Sequence, residues 1–262
     1  MHSGRPVESG NLWPVNTVNV TVLGAGDAFA SGGLLQAGYV IEAGGSHILM
    51  EAGPTLLPAL KRSGLNPGAL DLVLISHLHG DHFAGLPFLM LEYMWQSPRK
   101  RILTIAGPRH LERRTRALFH NMYPGMDNHP LMRKLRFVEL EAGRTARLGA
   151  ARVTAFRTPH TKPDVSLALR LTIGGKSLAF SGDSGWTDAL VELSAGADLF
   201  LCECTYFESD HLDFHLSYPA IERNRSRFKA KRIILTHLGN EVLAHQNEIK
   251  MEMATDLMKI TV

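Results

Sequence analysis

Short runs of apolar residues, separated by glycine-containing turns, dominate the pattern along the chain. Residues 18–24, VNVTVLG, alternate apolar and polar positions and are rich in valine, which predicts a strand. Residues 69–76, ALDLVLIS, form a nearly continuous apolar run, as is typical of a strand buried on both faces. Two further strands are predicted within residues 34–43 and 47–53, and another within residues 101–108. The first half therefore predicts five strands.

Helical spacing of apolar residues interrupts this pattern at three places in the first half. The segments are residues 55–64, 83–95 and 109–123. The second half returns to strands, and Gly174–Gly175 between two of them predicts a two-residue hairpin. These later strands are predicted within residues 135–140, 151–160, 165–173, 176–184, 198–207 and 232–239.

The order of these elements predicts an α/β protein built as a four-layer αββα sandwich, with two sheets face to face and helices outside. No composition shift marks a linker, so residues 18–262 are expected to form a single domain. Residues 1–17 are rich in Gly, Pro and Ser and are expected to form a loose N-terminal arm.

The composition is that of an ordinary globular protein and does not indicate a particular reaction. The net charge of +3 is small, and 45% of the residues are hydrophobic, which is ordinary for a globular protein. Cys202 and Cys204 are the only cysteines, and their spacing predicts reduced core thiols. The sequence shows no apolar run long enough to span a membrane and no secretory signal pattern, so we expect a cytoplasmic protein with no membrane partner.

A histidine cluster follows the apolar run at residues 69–76. Residues 77–82 read HLHGDH, which places His77, His79, Asp81 and His82 within six positions. His77 and His79 are two residues apart, so on an extended chain both side chains point the same way and can chelate one ion. Asp81 and His82 follow Gly80, where the chain can turn toward a second position. The pattern predicts a metal site.

Three later residues supply the remaining ligands, because each follows an apolar strand. They are His160, Asp183 and His237. Imidazole and carboxylate ligands in this number suit two divalent ions, with zinc expected and manganese or iron also accepting such ligands. We assign His77, His79 and His160 to one ion, and Asp81, His82 and His237 to the other. Asp183 is expected to bridge the two.

These motifs resemble the metallo-β-lactamase superfamily of hydrolases and, within it, the ribonuclease Z branch. The resembling segments are LGAGDAF (23–29), HLHGDH (77–82), LTIAGP (103–108), FSGDS (180–184), ECTY (203–206) and ILTH (234–237). The resemblance implies that Glu203 and His215 pair beside the ions, where His215 donates a proton to the leaving oxygen. Two dications lower the pKa of a shared water, so hydroxide is the expected nucleophile near neutral pH, and Asp81 is expected to orient it.

The chain departs from transfer-RNA-processing members of that branch in two respects. They carry a long Gly- and Pro-rich arm between the ligands that resemble His160 and Asp183, whereas here only a hairpin fits in that interval. Glu51 also stands where the family usually has aspartate. Structured transfer RNA is therefore a disfavoured partner, and the expected substrate is a small molecule or a short or single-stranded phosphodiester.

Several alternatives remain open on the sequence alone. The same metal site could hydrolyse a carboxylic ester, thioester, lactone or sulfate ester. Transfer-RNA 3′ processing and a non-catalytic ligand-binding role are weaker alternatives. The oligomeric state is also open, and the apolar helix at residues 83–95 offers one surface for a homodimer.

Overall fold

Two seven-stranded sheets form the centre of the computed structural model, which describes residues 17–208 and 213–262. The predicted N-terminal arm, apart from Thr17, lies outside the described residues. The strands of sheet 1 are β1 (Val18–Gly24), β2 (Gly38–Ala43), β3 (Ser46–Met50), β4 (Leu72–Leu74), β5 (Leu103–Gly107), β6 (Leu135–Glu139) and β14 (Lys259–Thr261). The strands of sheet 2 are β7 (Thr145–Leu148), β8 (Ala151–Thr158), β9 (Ser166–Ile173), β10 (Lys176–Phe180), β11 (Leu199–Glu203), β12 (Arg232–Thr236) and β13 (Glu252–Met253).

Each sheet changes from antiparallel to parallel pairing along its width. In sheet 1 the order is β14-β1-β2-β3-β4-β5-β6, antiparallel as far as β3 and parallel from β3 to β6. In sheet 2 the order is β13-β12-β11-β10-β9-β8-β7, antiparallel from β7 to β10 and parallel from β10 to β13. Gly174 and Gly175 both have positive φ, which confirms the predicted hairpin between β9 and β10.

Helices cover the outer face of each sheet. They are α1 (Leu56–Arg62), α2 (Gly80–Phe83), α3 (Leu86–Trp95), α4 (Leu111–Met122), α5 (Ala189–Ser194), α6 (Tyr218–Asn224) and α7 (Asn240–Ala244). Apolar side chains fill three interfaces. Val20 and Leu169 belong to the core between the sheets, Leu60 and Val73 to the core under α1, and Leu190 and Phe200 to the core under α5. This layering confirms the predicted αββα sandwich.

The helix predicted over residues 83–95 is confirmed as α3, which begins three residues later than predicted. A short helix, α2, carries the end of the histidine cluster, and α3 starts at Leu86 with Pro87 in its first turn. Between them, the backbone N–H of Gly85 donates to the carbonyl of Ala52. A Cβ at Gly85 would lie 2.3 Å from the carbonyl oxygen of Gly53, so the chain can approach this closely only with glycine. The break fixes α2 against the end of β3.

The structure also tests the predicted state of the two cysteines and the presence of membrane-spanning helices. Cys202 and Cys204 are buried free thiols, as expected. Among the described residues, we find no helix with the length and apolar character that crossing a membrane requires.

Candidate metal centre

The predicted site residues gather at one edge of the sandwich, because they follow strands that point the same way. In parallel strands the carboxyl ends meet at a common edge, and the loops leaving that edge lie close together. Glu51 follows β3, and the histidine cluster follows β4. From sheet 2, His160 follows β8, Asp183 follows β10, Glu203 ends β11 and His237 follows β12. Both sheets thus contribute side chains to one place.

The first group of convergent side chains comprises His77, His79, His160 and Asp183, whose ligand atoms all lie within 4.8 Å of one another. The Nδ1 atom of His79 lies 3.0 Å from the Nε2 atom of His160. Asp183 directs Oδ2 to within 3.6 Å of the Nε2 atoms of both His77 and His160. These are the residues that the sequence analysis assigned to one ion.

A second group comprises Asp81, His82, Asp183 and His237. The Nε2 atom of His82 lies 3.0 Å from Oδ2 of Asp81 and 3.2 Å from Oδ1 of Asp183. The Nε2 atom of His237 lies 3.4 Å from one oxygen of each carboxylate. Asp183 belongs to both groups, and a residue that bridges two ions must lie between them in this way. All seven predicted ligands are therefore brought together, while their binding of an ion stays a prediction.

Unsatisfied buried atoms show that the cluster fits a cation. The Nε2 atoms of His77 and His82 and the Oδ1 atom of Asp183 are buried, yet none makes a well-formed hydrogen bond to the described residues. Buried polar atoms without partners are rare and need an explanation. Divalent metal ions, which take imidazole nitrogen and carboxylate oxygen as ligands, would satisfy all three atoms.

The electrostatics of the cluster also favour positive charge. Burial opposes ionisation of Asp183, but the surrounding histidines, His237 first and His82 next, hold the pKa of this carboxyl well below its usual value. Burial likewise acts to lower the pKa of His82, but Asp183 and Asp81 raise it above the usual value. For His77, burial dominates and lowers the pKa well below its usual value, which favours the neutral ring.

A carboxylate and a hydroxyl orient two of the rings from behind. The Nδ1 atom of His82 lies 2.9 Å from Oε2 of Glu51, and the Nδ1 atom of His77 lies 3.0 Å from Oγ of Ser76. Glu51 also accepts a hydrogen bond from the backbone N–H of Ser76 at 2.8 Å. With Nδ1 engaged in this way, the Nε2 atom of each ring faces the carboxylates of the cluster.

Two further rings are held in the same manner by sheet 2. The Nδ1 atom of His160 lies 2.7 Å from the carbonyl oxygen of Phe214. The Nδ1 atom of His237 lies 3.0 Å from Oγ1 of Thr205. The sequence analysis identified the rings but missed Ser76, Thr205 and the role of Glu51, because a lone hydroxyl beside a ligand carries no spacing signal.

Glu203 and His215 form the pair that the resemblance implied. Glu203 is fully buried, and its Oε1 lies 3.0 Å from Nδ1 of His215. Burial acts to lower the pKa of His215, but the charge and hydrogen bond of Glu203 raise it to about 9. The His215 ring centroid lies 4.7 Å from that of His160 and 5.4 Å from that of His237. The pair therefore borders both groups.

A cavity of about 290 Å³ opens over the cluster, and aromatic side chains stand at it. Phe29 is 83% exposed and Phe214 is 41% exposed, although both are large and apolar. The buried carboxylate of Asp27 fixes the loop of Phe29 by accepting hydrogen bonds from the backbone N–H groups of Phe29 and Ser31. Phe29 and Phe214 thus give the cavity an exposed apolar border.

An αββα sandwich with this histidine and aspartate cluster at its strand ends defines a hydrolase of the metallo-β-lactamase fold. Residues 18–258 match the family described as "Anti-Pycsar protein Apyc1", and the chain belongs to that family. The uncharacterized protein ML1173 of Mycobacterium leprae is 32% identical over 232 residues, which cover 86% of this chain and 78% of that protein.

Two solved structures show the same architecture. The metallo-β-lactamase fold protein YhfI from Bacillus subtilis superposes with a TM-score of 0.74 at 22% identity, covering 93% of this chain and 99% of that one. The short form of human tRNase Z has a TM-score of 0.73 at 26% identity, covering 92% and 98%. The resemblance to the ribonuclease Z branch of the superfamily is thereby confirmed.

Proposed function

We propose that the protein is a phosphodiesterase that depends on two divalent metal ions and hydrolyses small or single-stranded phosphodiesters. The observation that carries the proposal is the contact of the Glu203–His215 pair with both ligand groups. A proton donor at this position suits a reaction whose leaving group is an alkoxide, as in phosphodiester hydrolysis. The relation to a human protein named tRNase Z supports the same chemistry.

In this proposal the ligands are those assigned from the sequence. His77, His79 and His160 would hold one ion, Asp81, His82 and His237 would hold the other, and Asp183 would serve both groups. Zinc is the expected ion, since imidazole and carboxylate ligands suit it well, while manganese and iron accept the same set. When bound, such ions supply Lewis acidity and make water a stronger acid near neutral pH.

The protein's own groups then position and move protons. Glu203 engages Nδ1 of His215, which leaves Nε2 of that ring to donate a proton to the leaving oxygen of a substrate in the cavity. Glu203 raises the pKa of His215, which favours the protonated ring that a general acid needs. Asp81 lines the cavity and orients the attacking water.

The size of the site supports a small or single-stranded substrate. A cavity of about 290 Å³ lies at the lower end of ordinary small-molecule sites. Only seven residues, 159–165, connect β8 to β9, and a tight turn connects β9 to β10. No segment in this interval extends to grip a folded RNA, so structured transfer RNA is a disfavoured substrate.

Hydrolysis of bis(p-nitrophenyl) phosphate by the zinc-loaded protein tests the proposal. We expect turnover that Asp183→Ala abolishes, since that residue belongs to both ligand groups, while Asp188→Ala on the exposed N-terminal side of α5 leaves it unchanged. Parallel assays use p-nitrophenyl acetate, a thioester, a lactone and p-nitrophenyl sulfate. Faster turnover of any of these would replace the phosphodiesterase assignment, and no turnover with zinc, manganese or iron would refute an enzymatic role.

A further inference from the structure

One buried hydroxyl connects the Glu203–His215 pair with the second ligand group. Thr205 is only 6% exposed, and its Oγ1 lies 2.8 Å from Oε2 of Glu203 and 3.0 Å from Nδ1 of His237. It also lies 3.4 Å from Nδ1 of His215. The three residues that it contacts are the fully buried carboxylate, a predicted metal ligand and the predicted proton donor.

The hydrogen-bond inventory decides which way these bonds run. A hydroxyl has one proton and two lone pairs, and an ionised carboxylate only accepts. The other groups at Glu203 are donors, namely the backbone N–H of Ser184 and Nδ1 of His215. The Thr205 hydroxyl lies 2.8 Å from Oε2 of Glu203 and 3.3 Å from the backbone carbonyl oxygen of His237, so it donates its proton in the shorter hydrogen bond, to Glu203. Its lone pair remains to accept a proton from Nδ1 of His237.

This direction places a proton on Nδ1 of the His237 ring. With the proton on Nδ1, the lone pair of the neutral ring resides on Nε2, which lies 3.4 Å from carboxylate oxygens of Asp81 and of Asp183. That is the tautomer and orientation that a ligand to the second ion needs. Without the hydroxyl, Glu203 and His237 would each lose a partner in a place closed to water.

We propose that Thr205 is a positioning residue, whose hydroxyl sets the tautomer of His237 and couples ion binding at the second group to the orientation of Glu203. The proposal rests on the two-ion site of the proposed function but not on the identity of the substrate. If the Thr205 side chain only filled space, its volume would matter and its hydroxyl would not.

Ser76 provides a matched comparison on the other side of the site. Its Oγ lies 3.0 Å from Nδ1 of His77, a member of the first group, just as Oγ1 of Thr205 lies 3.0 Å from Nδ1 of His237. The two hydroxyls therefore face different ligand groups, so removing each should affect a different ion.

The test measures zinc binding in competition with a chromophoric chelator, without any turnover. Thr205→Val keeps the size but removes the hydroxyl, Thr205→Ser keeps the hydroxyl, and Ser76→Ala serves as the matched variant. His237→Ala and His79→Ala identify which of the two binding steps belongs to which group. For Thr205→Val we expect the step that His237→Ala removes to weaken about 10–100-fold, while the other step is retained.

Thr205→Ser should bind both ions within about threefold of the unaltered protein, because the hydroxyl is what matters. Ser76→Ala should weaken the opposite step. Two tight ions in Thr205→Val, or equal damage in Thr205→Ser, would overturn the proposal. Failure of the unaltered protein to bind zinc would instead refute the two-ion site itself.

A second measurement does not require Thr205→Val to fold. The ¹⁵N shifts of the histidine rings in the unaltered, zinc-loaded protein, with His237→Ala for assignment, report which nitrogen of His237 carries the proton. A proton on Nδ1 agrees with the proposal. An unprotonated Nδ1 would contradict it even if Thr205→Val proved insoluble.

Discussion

The carboxylate of Glu51 lies 2.9 Å from Nδ1 of His82, and neither side chain is exposed to solvent. Glu51 adopts a φ of 63°, in the left-handed region that residues with a Cβ rarely occupy. Such a backbone costs on the order of 1–3 kcal/mol and persists where surrounding contacts impose it. The strained residue delivers one oxygen to His82 and the other to the backbone N–H of Ser76.

Glu51→Gln should weaken binding of the ion assigned to His82. Both oxygens of Glu51 act as acceptors, whereas glutamine offers one acceptor and one donor, so one of the two hydrogen bonds is lost. We expect the zinc affinity of one binding step to fall about 10–100-fold in the chelator competition. Glu42→Gln, on the rim of sheet 1, should leave both steps unchanged. Equal affinities in Glu51→Gln and the unaltered protein would show that His82 needs no support from this carboxylate.

Glu203 and His215 should act as one unit in catalysis. His215→Ala removes the proton donor and is expected to lower kcat by about 10²–10⁴-fold while two ions remain bound. At saturating zinc, adding Glu203→Gln to His215→Ala should lower kcat little further, because the carboxylate acts on proton transfer through that ring. Steady-state kinetics on a dinucleotide, whose leaving group is an alkoxide, with metal analysis of each variant provide the measurement. Fully additive losses in the double variant would mean that the two residues work separately.

Phe29→Ala should impair substrate binding without destabilising the fold. The side chain is 83% exposed, so its removal should change the free energy of unfolding by no more than about 0.5 kcal/mol. Because Phe29 lines the cavity, we expect KM to rise about tenfold from the loss of apolar contact with the substrate. Trp95→Ala is the control, since Trp95 is 61% exposed at the end of α3 and does not line this cavity. An unchanged KM for Phe29→Ala would exclude substrate contact.

Asp198 should contribute stability that depends on pH. Its hydrogen bond from Nζ of Lys231, at 2.7 Å, lowers the pKa of the carboxyl, and the backbone N–H of Ser177 donates to the other oxygen. The folded pKa thus lies below the unfolded value of about 3.9, so the contribution is complete above that value and is lost as the pH falls through the folded pKa.

We expect Asp198→Asn to lower the free energy of unfolding at pH 6 by about 1 kcal/mol. The difference from the unaltered protein should shrink steadily below about pH 4, where the native carboxyl also becomes neutral. Urea unfolding at pH 6, 4 and 3 measures both free energies. A difference that stays constant over this range would assign the effect to packing instead.

The ligands could be predicted from the sequence because each follows a strand that is itself recognisable. His237, for example, comes directly after the apolar residues of β12, and parallel strands bring such positions to a common edge. The supporting hydroxyls of Ser76 and Thr205 could not be predicted, since they act through contacts between segments distant in the chain. From the sequence, Glu51 could be recognised only as a departure from the aspartate usual in the family. Its contact with His82 could not be predicted and is seen only in the structure.

The limits of helix prediction have a similar physical cause. Apolar spacing over residues 83–95 indicated a helix from residue 83, but the carbonyl groups of Ala52 and Gly53 approach Gly85 so closely that the helix begins only at Leu86. The exposure of Phe29 could likewise not be predicted from its apolar side chain. Hydrogen bonds to Asp27 hold its loop in place, and the ring itself is not buried.

The two sheets meet across an interface that ends in the ligand cluster, and each ligand group draws side chains from both. His77 and His82 come from sheet 1, whereas His160, Asp183 and His237 come from sheet 2. Ions at the assigned positions would cross-link the two sheets. Separating the sheets on unfolding would then require release of the ions. The free metal concentration in the cell would then set the stability of the protein as well as its activity. Every tenfold rise in free ion above the dissociation constant raises the free energy of unfolding by about 1.4 kcal/mol per site.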